Sequence, residues 1–374
     1  MVAHPHLLLS ALLLGCAGGK GGDTATVTSE DGLTTRRWTA STEADGLHEV
    51  RIDVGADEDA MLVCGRTTDA SRWLSVERVT DPDGAVVLRW QDWYDVPRVL
   101  TGGIFPSGAD SCLNWPVREE DTPLTEGTWR VWMASTNARD QYAGGTSIDV
   151  VAQTRSAPGD GNGVLRVALA YAGDLGEDDG LVAAMDAAVV RWVEIWEPAG
   201  VELEIERVEV DLGADLPDLI EGDPAWTEAA RQTRDNDMLM VVGETIGGSL
   251  DLYGISGGVP GGLTAGPRAA VAISWLANAG TDGDFDEDEV QLLGDTLAHE
   301  AGHFVGLVHP VEDGWNQWDA LDDTIECDRM RDCEDVLGDN NLFPYAICSF
   351  SSCAPQDTLT EDQVAVLRRY TGVH

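Results

Sequence analysis

Apolar residues fall in two rhythms along this chain of 374 residues. From about residue 46 to 153 they recur in short alternating runs. Val50, Ile52 and Val54 share one face of a predicted strand, and Trp129, Val131 and Met133 share another. Alternation with period two marks a half-buried strand. The runs are separated by turns such as Asp81-Pro82-Asp83-Gly84, where proline fixes φ and glycine supplies a positive one. A further strand is expected over 84–90. Together these runs predict an all-β sandwich over residues 46–155.

The rhythm changes after 157–163 (APGDGNG), a stretch with almost no side chains to bury and the best domain boundary. Residues 164–171 read as a strand. Residues 181–196 carry apolar side chains at helical spacing and stop at Pro198. Residues 201–210 alternate, 238–242 and 269–275 read as buried strands, and a helix is expected from about 288 to 305. This order predicts a mixed α/β (α+β) domain over 164–374. Residues 17–45, rich in Gly, Thr, Ser and Asp, have little periodicity and read as a flexible linker.

Charge adds an exclusion. With 67 acidic against 23 basic residues the formal net charge is −44. Such a surface repels nucleic acid and anionic membranes and suits a salty or extracellular medium. Calcium, a hard cation that takes oxygen ligands, is an alternative use for some of the carboxylates.

The apolar run 7–14 ends in Leu13-Leu14-Gly15-Cys16. About eight residues is too short to span a bilayer, which takes roughly 20, and has the length of a signal-peptide core. The segment resembles a bacterial lipoprotein signal over 1–16, in which Cys16 is lipidated and is the sole membrane attachment. Its first residues carry His4 and His6 in place of Lys or Arg; a plain secretory signal is the alternative. Both predict export. Of seven cysteines, six remain after Cys16, an even number suited to disulfides in an oxidising compartment. Cys64–Cys112 is the simplest pair. Cys327–Cys333 and Cys348–Cys353 are favoured among the three connectivities open to the last four.

The chemistry concentrates in HEAGHFVGLVH, residues 299–309. Residues four apart lie one helical turn above each other, so His299 and His303 point to one place. Val290, Leu293, Leu297, Ala301 and Phe304 fall on the opposite stripe, which can face a core. Glu300 sits beside that place, where it can take a proton from water and pass it to a leaving amine. Gly306 can adopt the left-handed conformation that ends a helix sharply, bringing His309 back as a third ligand. The pattern H-E-x-x-H-x-x-G-x-x-H resembles the signature of the metzincin zinc peptidases.

Later residues narrow the resemblance. The run 319–327 (DALDDTIEC) resembles the D-x-x-x-D-T-P-x-C region of pappalysin-like metzincins, with Ile325 in place of proline. Asn340-Asn341-Leu342-Phe343-Pro344-Tyr345 resembles their Met-turn, and 359–364 (LTEDQV) their closing helix. The methionine is absent: Leu342 takes its place in one alignment and Phe343 in another, Leu342 being preferred. Leucine has similar volume, and such swaps usually cost under about 1.5 kcal/mol. The resemblance implies a metzincin-like fold with a twisted mixed sheet, Zn2+ on His299, His303 and His309, Glu300 as general base, and a protein or peptide substrate. It also makes Tyr345 a candidate oxyanion stabiliser. The rival reading is a non-catalytic, zinc-containing surface-binding lipoprotein.

Two features stay open at this level. Asp282, Asp284, Asp286 and Asp288 either cap the helix or bind calcium, although no EF-hand loop is formed. The glycine-rich run 254–266 lacks a P-loop lysine, and in a metzincin-like fold it would border the substrate cleft. Tryptophans 38, 73, 90, 93, 115, 129 and 132 either form a sugar platform or, as preferred, core and rim.

Overall fold

The computed structural model describes residues 25–371 except 31, 107, 140, 157–162, 220–222, 232–237, 265, 280–283 and 350–351. The signal segment, Cys16, Asp282 and most of the 157–163 boundary lie outside the described residues.

The first half is built from β1 (Thr26–Glu30), β2 (Leu33–Ser41), β3 (Leu47–Val54), β4 (Glu58–Arg66), β5 (Arg72–Thr80), β6 (Val86–Arg89), the short α1 (Gln91–Tyr94), β7 (Arg98–Val99), β8 (Asp110–Trp115), β9 (Gly127–Asn137) and β10 (Ser147–Ser156). One antiparallel sheet runs β1-β2-β10-β4-β8 and another β3-β9-β5-β6. The alternation does the work expected of it: Val50, Ile52 and Val54 turn inward, as do Trp129, Val131 and Met133, and all join one buried cluster with Met61 and Val63 from the other sheet. Trp115 and Trp129 are fully buried, in keeping with a core role.

The linker expectation needs correcting. Residues 26–30 and 33–41 form β1 and β2, and all nine residues of β2 pair with β10. Its threonines and arginines lack an apolar stripe, so sequence periodicity is silent. The strand is held by ladder hydrogen bonds and polar cross-strand contacts such as Thr39 Oγ1 to Asp149, 2.7 Å.

The second half comprises β11 (Val164–Tyr171), α2 (Asp179–Trp196), β12 (Glu202–Arg207), β13 (Asp215–Leu216), α3 (Pro224–Ala230), β14 (Met238–Gly243), β15 (Thr245–Ile246), β16 (Gly254–Ser256), β17 (Ala270–Ser274), α4 (Trp275–Asn278), α5 (Glu287–Phe304), β18 (Trp318–Asp319), α6 (Met330–Leu337) and α7 (Glu361–Tyr370). The main sheet runs β12-β11-β14-β17-β16; the first four strands are parallel and β16 is antiparallel at the edge. Both faces are covered, so the central strands are continuously apolar. Leu165, Val167, Leu169, Met240, Val242, Val271 and Ile273 pack toward α2 and α5. The intervening Ala168, Ala170, Leu239, Val241, Ala270 and Ala272 pack toward Trp226 of α3.

The two halves are tightly joined. Arg268, buried, donates to the carbonyls of Asp110 (3.1 Å) and Pro260 (3.3 Å), and the Gly102 amide donates to Val259 O at 2.9 Å. β7 pairs in parallel with β18. The disulfides are Cys64–Cys112, Cys327–Cys333 and Cys348–Cys353, the pairs favoured from spacing. Three such bonds mark a protein of an oxidising compartment, outside the cytosol. No helix among the described residues is long and apolar enough to cross a membrane.

Asp319, in β18, illustrates a cost of this packing. Burial, opposed by the Thr324 hydroxyl and the Leu321 amide, pushes its carboxyl up to about 7, and its Oδ2 has no partner. A folded value above the unfolded one of 3.8 means that the native chain holds the proton more tightly. This contribution to stability is complete below pH ~4 and is lost as pH rises through ~7, a loss on the order of 2–4 kcal/mol. In Asp319→Asn, urea unfolding measured from pH 4 to 8 should lack that part of the wild-type decline; parallel wild-type and variant curves would refute it.

Candidate metal centre and catalytic cleft

α5 begins at Asp286, whose carboxylate accepts the amides of Asp288 (2.9 Å) and Glu289 (3.0 Å), while the Glu289 carboxylate accepts the Asp286 amide. This is a capping box with acidic residues at the positive end of the helix dipole. Asp286 and Asp288 thus serve the helix. Among the described residues, His299, His303 and His309 are the one set of three or more His, Cys, Asp or Glu able to share a metal, so the calcium expectation finds no site there.

Leu293, Leu297, Ala301 and Phe304 are buried as the stripe predicted. Gly294 lets α2 come close, since a Cβ there would stand 2.6 Å from Arg191. Arg191 reaches across to Asp295 (3.0 Å) and Asp357 (2.6 Å). The side-chain amide of Asn341 donates to Asp295 O (3.0 Å) and Gln356 O (2.9 Å). These bonds fix the 340–345 turn beneath the helix. Leu342 is fully buried, with its methyl carbons 3.3–3.4 Å from where a Gly302 Cβ would lie. Phe343 packs elsewhere, with Val311, Cys333 and Leu337. Leu342 is therefore the residue of this turn that lies against α5 at Gly302.

At the other end of α5, Gly306 has φ +112° and the Leu307 amide donates back to Gly302 O at 2.9 Å. The reversal brings His309 to its partners. His309 Nε2 lies 3.0 Å from His303 Nε2 and 3.3 Å from His299 Nε2. The outer ring nitrogens are all spoken for. His299 Nδ1 donates to Asn341 O (2.7 Å), His303 Nδ1 to Leu307 O (2.7 Å) and His309 Nδ1 to Glu312 Oε2 (3.1 Å). Carbonyls and carboxylates only accept, so each Nδ1 carries the proton, and in the neutral imidazole this leaves Nε2 with a lone pair. Burial pushes His303 down to about 3 and His299 well below its usual value, which keeps both in that form. Three lone pairs facing one point repel unless a cation sits between them. Their spacing suits zinc, whose tetrahedral nitrogen ligands at ~2.0–2.1 Å lie about 3.3 Å apart.

Glu300 is buried beside the histidines. Burial pushes its carboxyl up to about 8, and the Ser256 backbone amide, donating to it, draws it part-way down. That amide belongs to β16. Gly254 in the same strand presses against Glu300, and a Cβ there would come within 2.7 Å of Cγ. A cleft of about 330 Å³ opens here, lined by Tyr253, Gly254, His299, Glu300, Asp313 and Tyr345 among others. The glycine-rich run thus borders the cleft through the sheet's edge strand.

Tyr345 lines the cleft, but its hydroxyl donates to Glu334 at 2.9 Å. Burial and that carboxylate push its ionisation far up. The hydroxyl is thus engaged by α6, not directed at the histidines. Sequence reasoning passed over Glu312, Asp295 and Arg191, which hold the site together. The signal available for Glu312 was its place three residues after His309; Arg191 and Asp295 are 104 positions apart and gave none.

No protein-family model matches the chain, and no curated protein matches it by sequence. Among solved structures it is similar to archaemetzincin from Methanopyrus kandleri, at 17% identity and a TM-score of 0.27 over 39% of this chain and 75% of that one. It is also similar to metalloproteinase-II from Bacteroides fragilis, at 12% identity and a TM-score of 0.33 over 63% and 64%. A likeness to tomato aspermy virus covers 38% of this chain and 90% of that one, at 15% identity and a TM-score of 0.20. Likenesses this slight decide nothing about chemistry, which rests on the side chains.

Proposed function

We propose that the chain is an exported zinc-dependent endopeptidase of metzincin type, similar to the pappalysins and anchored through a lipid on Cys16. One observation carries the reading: three Nε2 lone pairs converge beside a buried glutamate in an open cleft. His299, His303 and His309 would hold the ion, which when bound polarises a carbonyl and acidifies water. Glu300, ionised by the nearby positive charge, accepts the proton of the attacking water and returns it to the leaving amine. The Ser256 amide orients that carboxylate. β16 lies at the sheet edge beside Glu300, where an extended peptide could pair with it. Tyr345 can serve the developing oxyanion only by releasing Glu334. That engagement, with leucine in place of the methionine, is what favours the second reading, a zinc-containing binding protein without catalysis.

Digestion of a broad peptide library with and without chelator tests the proposal. Cleavage that stops with chelator and returns with zinc is expected; no cleavage in either arm would favour the binding protein.

A further inference from the structure

We propose that Glu312 is the positioning residue of His309, presented by the hairpin 311–318 so that this one ligand is held by a side chain. The inference rests on the metal-site reading above and assigns a role within it.

The contrast among the three histidines carries the proposal. His299 and His303 project from α5, where helix geometry limits their rotamers, and backbone carbonyls receive their Nδ1 protons. No side-chain substitution at Asn341 or Leu307 removes those carbonyls. His309 lies beyond the helix, after the Gly306 reversal, and its Nδ1 donates instead to the carboxylate of Glu312 at 3.1 Å. A carboxylate behind a ligating imidazole fixes its tautomer and orientation and raises its basicity.

The hairpin holds Glu312 in place. The Glu312 amide donates to Gln317 O at 3.0 Å, and the Trp315 amide donates to Glu312 O at 2.8 Å. Val311, fully buried, bridges to Trp318, which in turn pairs with β7. Trp315 at the tip has φ +54°, a conformation a bulky residue adopts only when its surroundings impose it. Its ring packs on Phe343 and Tyr345 in the cleft wall. As a surface ion pair Glu312–His309 would matter little to folding, since both side chains are partly exposed (39% and 21%). Its geometry instead suits a ligand's second bond.

The test compares wild type, Glu312→Gln and Glu312→Ala, each first stripped of metal. Zinc affinity is measured by competition with a chromogenic chelator, and cobalt(II) is added as a spectroscopic probe of ligand geometry. Glu312→Ala should bind zinc about 10- to 100-fold more weakly and show an altered cobalt visible spectrum. Glu312→Gln, which can still accept the Nδ1 proton through its amide oxygen, should recover part of the affinity. The metal-free melting temperature should be the same in all three. Wild type that binds zinc, with both variants equal to it in affinity and spectrum, overturns the role of Glu312 alone. Wild type that takes up neither metal overturns the site reading itself.

Discussion

Glu300→Ala should lose peptide hydrolysis by on the order of 10³-fold in kcat while keeping its metal. The carboxylate is not among the converging ligand atoms, so its removal leaves the three Nε2 donors and their outer hydrogen bonds in place. What disappears is the acceptor of the water proton, a contribution of typically 10²–10⁴. Glu300→Gln should behave alike, because an amide oxygen accepts a hydrogen bond without acting as a base at neutral pH. Assays on a fluorogenic peptide, with metal content measured on the same preparations, separate the two effects. Activity within threefold of wild type would remove Glu300 from the chemistry. Lost metal would make it structural.

The second large effect is expected at Gly306. An alanine there meets two penalties at once. The backbone sits at φ +112°, where an L side chain is strained. The added Cβ would also lie 2.3 Å from Nδ2 of Asn114, a fully buried residue of β8. Strain and overpacking each cost about 1–3 kcal/mol, so Gly306→Ala should lose roughly 2–6 kcal/mol in urea unfolding, a large share of a typical domain's stability. It should also displace His309 and weaken metal binding. In an Asn114→Ala background, which itself loses the bond from the Thr101 hydroxyl, the clash is gone but the strained φ remains, so Gly306→Ala should cost less there than in wild type but not nothing. A single variant as stable as wild type would show that the turn does not need glycine.

The site was more legible in the sequence than the frame around it, for a physical reason. A helix repeats every 3.6 residues, so His299, His303 and the stripe from Leu293 to Phe304 declare their faces locally. The Gly306 turn and His309 complete a pattern eleven residues long. Two disulfides were legible because their cysteines lie five and six residues apart; Cys64 and Cys112, 48 residues apart, were left to each other as the two cysteines of the first half. The rest depends on long-range pairing. β2 is held by its ladder to β10, more than 100 residues away, and its polar residues look like a linker. The Tyr345 hydroxyl is claimed by Glu334, a contact set by how α6 folds over the turn. Arg191, Asp295 and Asn341 fix the floor of the site through bonds that no local pattern encodes.

The joined halves also bear on the division into domains. Arg268 buries its guanidinium against Asp110 O, and Asn114 abuts the Gly306 turn. The β-rich half therefore buttresses the loop and the turn that shape the cleft. Truncation at the 157–163 boundary should expose that surface.

The most direct measurement is elemental analysis of the purified chain beside His303→Ala and His309→Ala. One zinc per wild-type chain is expected and, in both variants, loss of most of it with the fold retained by circular dichroism. Wild type without zinc, or variants that keep it, would contradict the three-histidine centre.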